Sequence, residues 1–275
     1  MNDADTIRLY WWAKKTNFGD LIGPWLVEMM TGRPTANIRH QKDKSGITGL
    51  ATAGSLIHSL DRPGLEIWGS GSICALKADH IRSLADREPA RIHAVRGWKT
   101  FKELTKLGWT APRVFGDPAS LLPRFYAPKR RDDVKGKVAL VPHYMHKALF
   151  AGLTDESFHT VEVQDQPDAV VDQIASARAV LSTSLHGVIV AQAYGVPWVW
   201  LRIRDAALLG GDFKFEDYFT TIDRDGVRVA TLDPGAITDL NIRAVSEFAF
   251  LPKAKLTFDD LLEAFPYPVR DGALL

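Results

Sequence analysis

The segment Ser182-Thr183-Ser184-Leu185-His186-Gly187 joins the apolar run Ala179–Leu181 to a second apolar run, Val188–Tyr194. A strand feeding a helix through such a turn leaves backbone amides pointing outward, so Ser184, Leu185 and Gly187 can form an anion nest with the His186 ring at its edge. A helix N-terminus lowers a histidine pKa, whereas a phosphate bound beside it favours the imidazolium and makes it a proton donor. A histidine hydrogen-bonded to a neighbouring strand is the competing reading.

Other segments offer complementary groups. In Asn17-Phe18-Gly19-Asp20 the carboxylate of Asp20 falls at an expected helix N-cap, where it either caps the helix or, with Asn17, serves a sugar hydroxyl as ligand or base. The turns Gly54-Ser55 and Gly69-Ser70-Gly71-Ser72 each follow a short apolar strand, and read equally as tight turns or as cradles for phosphate or carboxylate. Arg96 ends the run Arg91–Val95, so its guanidinium is placed either as a bidentate anion clamp or in a surface ion pair. Asp117, ahead of Pro118, has the position of a helix cap and is also counted among the candidate substrate-binding residues. His143 stands at a strand end, with His146 nearby, and Lys214 in Lys214-Phe215-Glu216-Asp217-Tyr218 is a cation that neutralises a phosphate or decorates the surface.

Several chemistries lack their motifs. Neither glycine turn matches the Walker loop or the full dinucleotide fingerprint, and there is no G-x-S-x-G. Ser184 and His186 are two positions apart and point in different directions, against a local nucleophile pair. No cysteine pair or H-E-x-x-H is present, and the eight histidines do not fall at ligand spacings, so no metal is assigned and turnover is expected to need none.

The 275 residues that must position these groups are 46% apolar and 24% charged, close to the average of soluble globular chains. Lys and Arg number 34 against 33 acidic residues, so no global field draws the chain to nucleic acid or to an anionic membrane, and any anion is held locally. The single Cys74 and the acidic N-terminus, which has no signal-peptide pattern, lead us to expect a cytoplasmic protein without a transmembrane segment.

Short β-branched or aromatic runs alternate with helical patterns, predicting βαβ units and parallel sheets. Strands are expected at Ile7–Trp12, Gly49–Ala53, Glu66–Trp68, Arg91–Val95, Arg113–Phe115, Val138–Val141, Thr160–Val163, Ala179–Ser182 and Trp198–Leu201. Helices are expected at Leu21–Met30, Trp98–Leu107, Asp168–Ala177 and Val188–Tyr194, with a last one over Thr257–Phe265 capped by Thr257. The charged, proline-containing stretch Pro123–Gly136 reads as a linker. We therefore expect two Rossmann-like domains, 1–128 and 129–275, facing across a cleft, with the last helix packing back on the first.

Taken in order, N-F-G-D, G-S, W-G-S-G, V-R before a helix, G-D-P-A, P-H, S-L-H-G followed by A-x-x-x-G-x-P, and K-F-x-D-Y resemble the polysaccharide pyruvyl transferase family from Asn17 to about Tyr218. The resemblance implies a GT-B-like architecture and transfer of the pyruvyl unit of phosphoenolpyruvate to two hydroxyls of a sugar as a ketal. One departure is that the acidic residue and serine usual after V-R are replaced here by Gly97-Trp98-Lys99-Thr100. On this reading phosphoenolpyruvate is a donor substrate and no cofactor is implied. The acceptor is a saccharide, lipid-linked and met at the inner face of a membrane. His186 contacts phosphate and donates a proton, while Arg96 and Lys214 hold the donor's anionic groups. The amides of Leu185 to Gly187 bind phosphate, and Asp20 or His143 deprotonates a hydroxyl. A GT-B glycosyltransferase using a nucleotide sugar and a non-catalytic carbohydrate-binding protein, the latter suggested by eight tryptophans, are the alternatives.

Overall fold

The computed structural model describes residues 5–42, 44 and 46–270. Among these residues ten short strands form two sheets. The first holds β1 (Ile7–Tyr10), β2 (Thr35–Asn37), β3 (Leu50–Ala51), β4 (Glu66–Trp68) and β5 (Arg91–Ala94); the second holds β6 (Val138–Val141), β7 (Phe158–Thr160), β8 (Ala179–Ser182), β9 (Trp198–Ile203) and β10 (Val229–Leu232). All pairings are parallel, in the orders β2-β1-β3-β4-β5 and β10-β9-β8-β6-β7. Counted within each sheet, both read 2-1-3-4-5, a doubly wound order whose direction of growth reverses between its first and third strands.

Helices α1 (Phe18–Thr31), α2 (Ala78–Leu84) and α3 (Trp98–Lys106) belong to the first half. In the second lie α4 (Pro167–Ser176), α5 (Leu185–Ala193), α6 (Phe213–Tyr218), α7 (Asp239–Ser246) and α8 (Asp259–Glu263). The central strands are buried along their whole length, as parallel strands covered on both faces must be. One apolar core runs through both halves, from Leu9, Phe18 and Ile22 to Val141, Val180 and Ile189. The amide of Phe18 donates to the Val163 carbonyl across the junction at 2.9 Å.

Several sequence expectations shift. The edge strands β2 and β10 are polar or alternately exposed and carry no apolar run to announce them. Arg113–Phe115 reduces to a single bridge between Phe115 and Val95, and β7 ends at Thr160, where the expected strand began. Helix α5 starts at Leu185 rather than Val188, and α1 at Phe18 rather than Leu21. Phe258, not Thr257, caps α8, in a left-handed conformation with φ of 64°. The stretch Pro123–Gly136 connects the two sheets yet is not a free tether. The Tyr126 hydroxyl and the Lys129 amide both donate to Asp172 Oδ1, and the Arg131 amide to Ser176 Oγ. α8 lies against the first half, where the Trp68 indole donates to the Leu261 carbonyl at 2.8 Å. No helix among the described residues is long and apolar enough to cross a membrane.

Candidate functional site

In each sheet the reversal of strand order parts the loops that leave the first and third strands, and opens a crevice between them. In the first half those loops carry Trp12, Asn17 and Asp20 after β1, and Gly54 and Ser55 after β3. In the second they carry His143 and Tyr144 after β6, and Ser184, Leu185 and His186 after β8. All of these residues, with Lys214, line one cavity of about 380 Å³.

The earlier start of α5 moves His186 into its first helical turn, with Ser184 at the N-cap making no side-chain cap bond. The first intrahelical bond is made by the Val188 amide to the Ser184 carbonyl at 3.2 Å, so the Leu185 to Gly187 amides come before the ladder begins. A Cβ on Gly19 would overlap the His186 ring, and one on Gly187 would overlap Ser182 Oγ. Both glycines therefore serve close packing, and Gly187 itself does not face the cavity. The ring of His186 is only 8% exposed, and burial, followed by the charges of Arg96, Lys214 and His143, pushes its pKa down to about 3. Its Nε2 has no hydrogen-bond partner among the described residues and stands 3.8 Å from Asp117 Oδ2, which has none among them either.

Asp117 caps the 3-10 turn Pro118–Arg124, its Oδ1 accepting from the Ala119 amide at 3.0 Å. Burial raises its pKa to about 6, opposed by that amide and by Arg96. Asp20 does not cap α1, because the helix begins at Phe18 with Asn17 at the N-cap. Instead the Asn17 amide donates to Asp20 Oδ2 at 3.1 Å, and burial raises the Asp20 pKa to about 6. Lys214 makes no hydrogen bond or ion pair among the described residues, its ammonium lying 5.6 Å from the Phe215 ring centroid. Burial and the neighbouring Arg96 lower its pKa to about 8, with Asp20 acting in the opposite direction.

His143 takes the Met145 amide on Nδ1 at 3.3 Å, and burial, then Lys214 and His146, lower its pKa to about 3. The neutral ring therefore carries its proton on Nε2 and offers a donor rather than a base. His146 is turned away from this cavity, bonded to Thr183 Oγ1 and to the Ala206 carbonyl.

Arg96 corrects the expectation of an open clamp. It is wholly buried and does not line the cavity. Its Nε pairs with Asp217 at 2.9 Å, one terminal nitrogen donates to Ser55 Oγ at 2.7 Å and the other to the Ser72 carbonyl at 2.6 Å. Asp217 also accepts from the Thr100 amide and hydroxyl, and a Cβ on Gly97 would overlap its backbone. The Gly97 and Thr100 that depart from the family pattern are thus the residues that seat this carboxylate. The turn of Gly69, Ser70 and Gly71 lies behind the wall. Ser70 Oγ donates to the Gly54 carbonyl at 3.0 Å, Gly69 abuts Pro118, and a side chain on Gly71 would overlap the guanidinium. Ser55, bonded to Arg96, and Gly54, bonded to Ser70, couple this buried frame to the cavity.

Trp12 and Tyr144 were not singled out from sequence, although each stands immediately beyond a strand end. Arg39 lies over the Trp12 ring with 4.7 Å to its centroid, and Lys15 over Tyr144 at 5.4 Å. As a whole the cavity offers an unpaired ammonium, helix-end amides, neutral imidazoles and one high-pKa carboxyl. That set suits an anionic ligand and proton transfer to or from oxygen or carbon.

Comparison with known proteins agrees with the resemblance read from the sequence. Residues 79–205 match the family model described as polysaccharide pyruvyl transferase, a span that includes Arg96, Asp117, His143 and Ser184 to Gly187. The chain is also 26% identical over 227 residues to an uncharacterized protein of Acanthamoeba polyphaga mimivirus, covering 80% of this chain and 76% of that protein.

Proposed function

We propose, from the premise that residues 79–205 belong to the polysaccharide pyruvyl transferase family, that this chain transfers the pyruvyl unit of phosphoenolpyruvate to two hydroxyls of one sugar in a saccharide acceptor. The observation that carries this reading is the convergence of Lys214, the first turn of α5, His186 and Asp20 on one cavity fed by both halves. In this reading residues 129–275 supply the donor side and residues 1–128 the acceptor side of a GT-B-like arrangement.

The reaction joins phosphoenolpyruvate and a diol to give a pyruvate ketal and inorganic phosphate. A proton added to the methylene carbon makes it a methyl and leaves C2 electron-poor. A sugar hydroxyl attacks C2 and releases its proton, the C2–O bond to phosphate breaks, and a second hydroxyl closes the ketal with loss of its own proton. Lys214 and the α5 amides oppose the donor's negative charge. A phosphate beside His186 raises the depressed pKa of the imidazole, so the ring can carry the proton destined for the methylene carbon. Asp20, held by Asn17, accepts a hydroxyl proton, and His143 donates its Nε2 hydrogen to a ligand oxygen. The Trp12 face offers a platform for the sugar ring. Met145 and Leu209, 64% and 77% exposed at the same cavity, fit an acceptor that carries a lipid and is met at the cytoplasmic face of a membrane.

Titration calorimetry with phosphoenolpyruvate and with nucleotide sugars tests the donor. Mass spectrometry of a lipid-linked oligosaccharide incubated with the enzyme tests the product. Phosphoenolpyruvate binding, phosphate release and one ketal per acceptor are expected. Binding of a nucleotide sugar with none of phosphoenolpyruvate would replace this reading by glycosyl transfer.

A further inference from the structure

At the first-half wall of the cavity, three residues from separate segments converge. His58 lies in the 3-10 turn Ile57–Ser59, Cys74 in the loop after β4, and His80 in the first turn of α2. One ligand-capable atom from each lies within 4.8 Å of the others. The Cys74 sulfur is 3.3 Å from His58 Nε2, and the two imidazoles meet edge to face with centroids 4.7 Å apart.

We propose that His58, Cys74 and His80 form a binding site for a borderline-soft divalent cation, Zn²⁺ by chemistry, with three protein ligands and a fourth position left to water. A tetrahedral zinc with bonds of about 2.3 Å to sulfur and about 2.0–2.1 Å to nitrogen separates S from N by roughly 3.5 Å, close to the observed sulfur–nitrogen distance. One thiolate with two imidazoles is a donor set that favours zinc over magnesium or calcium.

His58 presents Nε2 to the Cys74 sulfur, while its other ring nitrogen, Nδ1, is buried and has no hydrogen-bond partner among the described residues. Burial raises the Cys74 pKa, and zinc binding would exchange the thiol proton, released to water, for a Zn–S bond. The nearby Glu103, buried and bonded to the Leu76 amide and Lys106, adds negative charge beside the cluster. His80 Nδ1 now takes the Lys77 amide at 3.1 Å. Whichever nitrogen of His80 coordinates, that amide must turn to water, which its exposed place at the start of α2 permits. The expectation of no metal rested on spacing along the chain, where His58 and His80 are far apart. The ion would tie the turn carrying His58 and Ser59, which line the cavity, to α2.

The test uses the full chain, stripped with a chelator and reconstituted with Zn²⁺ or Co²⁺ alone. One equivalent of metal is expected, with a thiolate-to-cobalt charge-transfer band in the near ultraviolet. Cys74→Ser should abolish that band, and His80→Ala should weaken zinc binding by more than about tenfold. Circular dichroism of the stripped variants checks that they fold. A wild-type chain that takes up no metal at micromolar concentration overturns the proposal, and the cluster is then a thiol–imidazole hydrogen bond only. Uptake without the thiolate band, or unchanged in both variants, overturns it equally, since the ion would then sit elsewhere. Because the readout is metal content and spectrum, it is independent of the donor and acceptor reading above.

Discussion

Nε2 of His186 and Oδ2 of Asp117 face each other at 3.8 Å, buried, and neither has a hydrogen-bond partner among the described residues. The gap is too long for a hydrogen bond but short enough for a carboxylate to stabilise an imidazolium in a site closed to water. On the proposed reading Asp117 would position His186, and a small movement on donor binding would complete the contact. Asp117→Asn retains an oxygen to accept the Ala119 amide, so its melting temperature should change little. The turnover rate should fall by about tenfold or more, and the basic limb of its pH profile should move to lower pH, because the proton on His186 loses its counter-charge. An unchanged pH profile with normal turnover would show that Asp117 acts as a cap alone.

His186→Ala is expected to fold and to lose more than about tenfold in phosphoenolpyruvate affinity, from the ordinary cost of removing a charge-assisted hydrogen bond. Wild-type donor affinity in a well-folded His186→Ala protein would remove this residue from the donor site.

Lys214 contributes a pH dependence of its own. With its pKa lowered to about 8, the free protein loses the ammonium as pH rises through that value. Phosphoenolpyruvate affinity should therefore decline between about pH 7 and pH 9. Lys214→Ala should bind the donor more than about tenfold more weakly at pH 7 and lack this decline. Calorimetric titrations of both proteins across the range decide it; a parallel decline in the variant would assign the ionisation elsewhere.

The carboxyl of Asp20 has a folded-state pKa near 6, above the unfolded value near 3.8, so folding favours its neutral form. As pH rises from 4 to 6 the unfolded chain releases this proton first, and the native state loses stability relative to it. At pH 7.5 that cost is present in full. Asp20→Asn should raise the stability there by about 1–2 kcal/mol, with a difference that fades near pH 4, while on the proposed reading, in which Asp20 accepts the hydroxyl proton, turnover drops. Thermal melts at the two pH values, paired with activity assays, test the trade; a variant less stable at pH 7.5 would contradict it.

Arg96 and Asp217 form a buried ion pair between the two halves, held further by Ser55, Ser72 and Thr100. Arg96→Ala leaves Asp217 uncompensated and should cost about 3–5 kcal/mol, read as a large fall in melting temperature rather than a selective loss of donor binding. Removing both charges in Arg96→Met with Asp217→Leu should restore much of the stability, which a denaturation series on the single and double variants can measure. Normal stability in Arg96→Ala would return the guanidinium to the ligand's service.

The residues of the central strands and the strand-end motifs were legible in the sequence because parallel strands buried on both faces must be continuously apolar and must end where a turn begins. Val138–Val141 and Ala179–Ser182 therefore stand at their expected bounds, P-H lies in the loop after its strand, and S-L-H-G and N-F-G-D lie at the helix starts that follow theirs. The edge strands Thr35–Asn37 and Val229–Leu232 were not legible, since pairing on one side only asks for no such pattern. What lies opposite each motif was settled by tertiary structure alone. The pairing order brings both sheets' reversal points to one cavity, joins Arg96 to a carboxylate 121 positions away, sets Asp117 against His186, and gathers His58, Cys74 and His80. Local sequence specifies which backbone a segment adopts, whereas the identity of a buried charge's partner depends on which chain segments the shared core forces together.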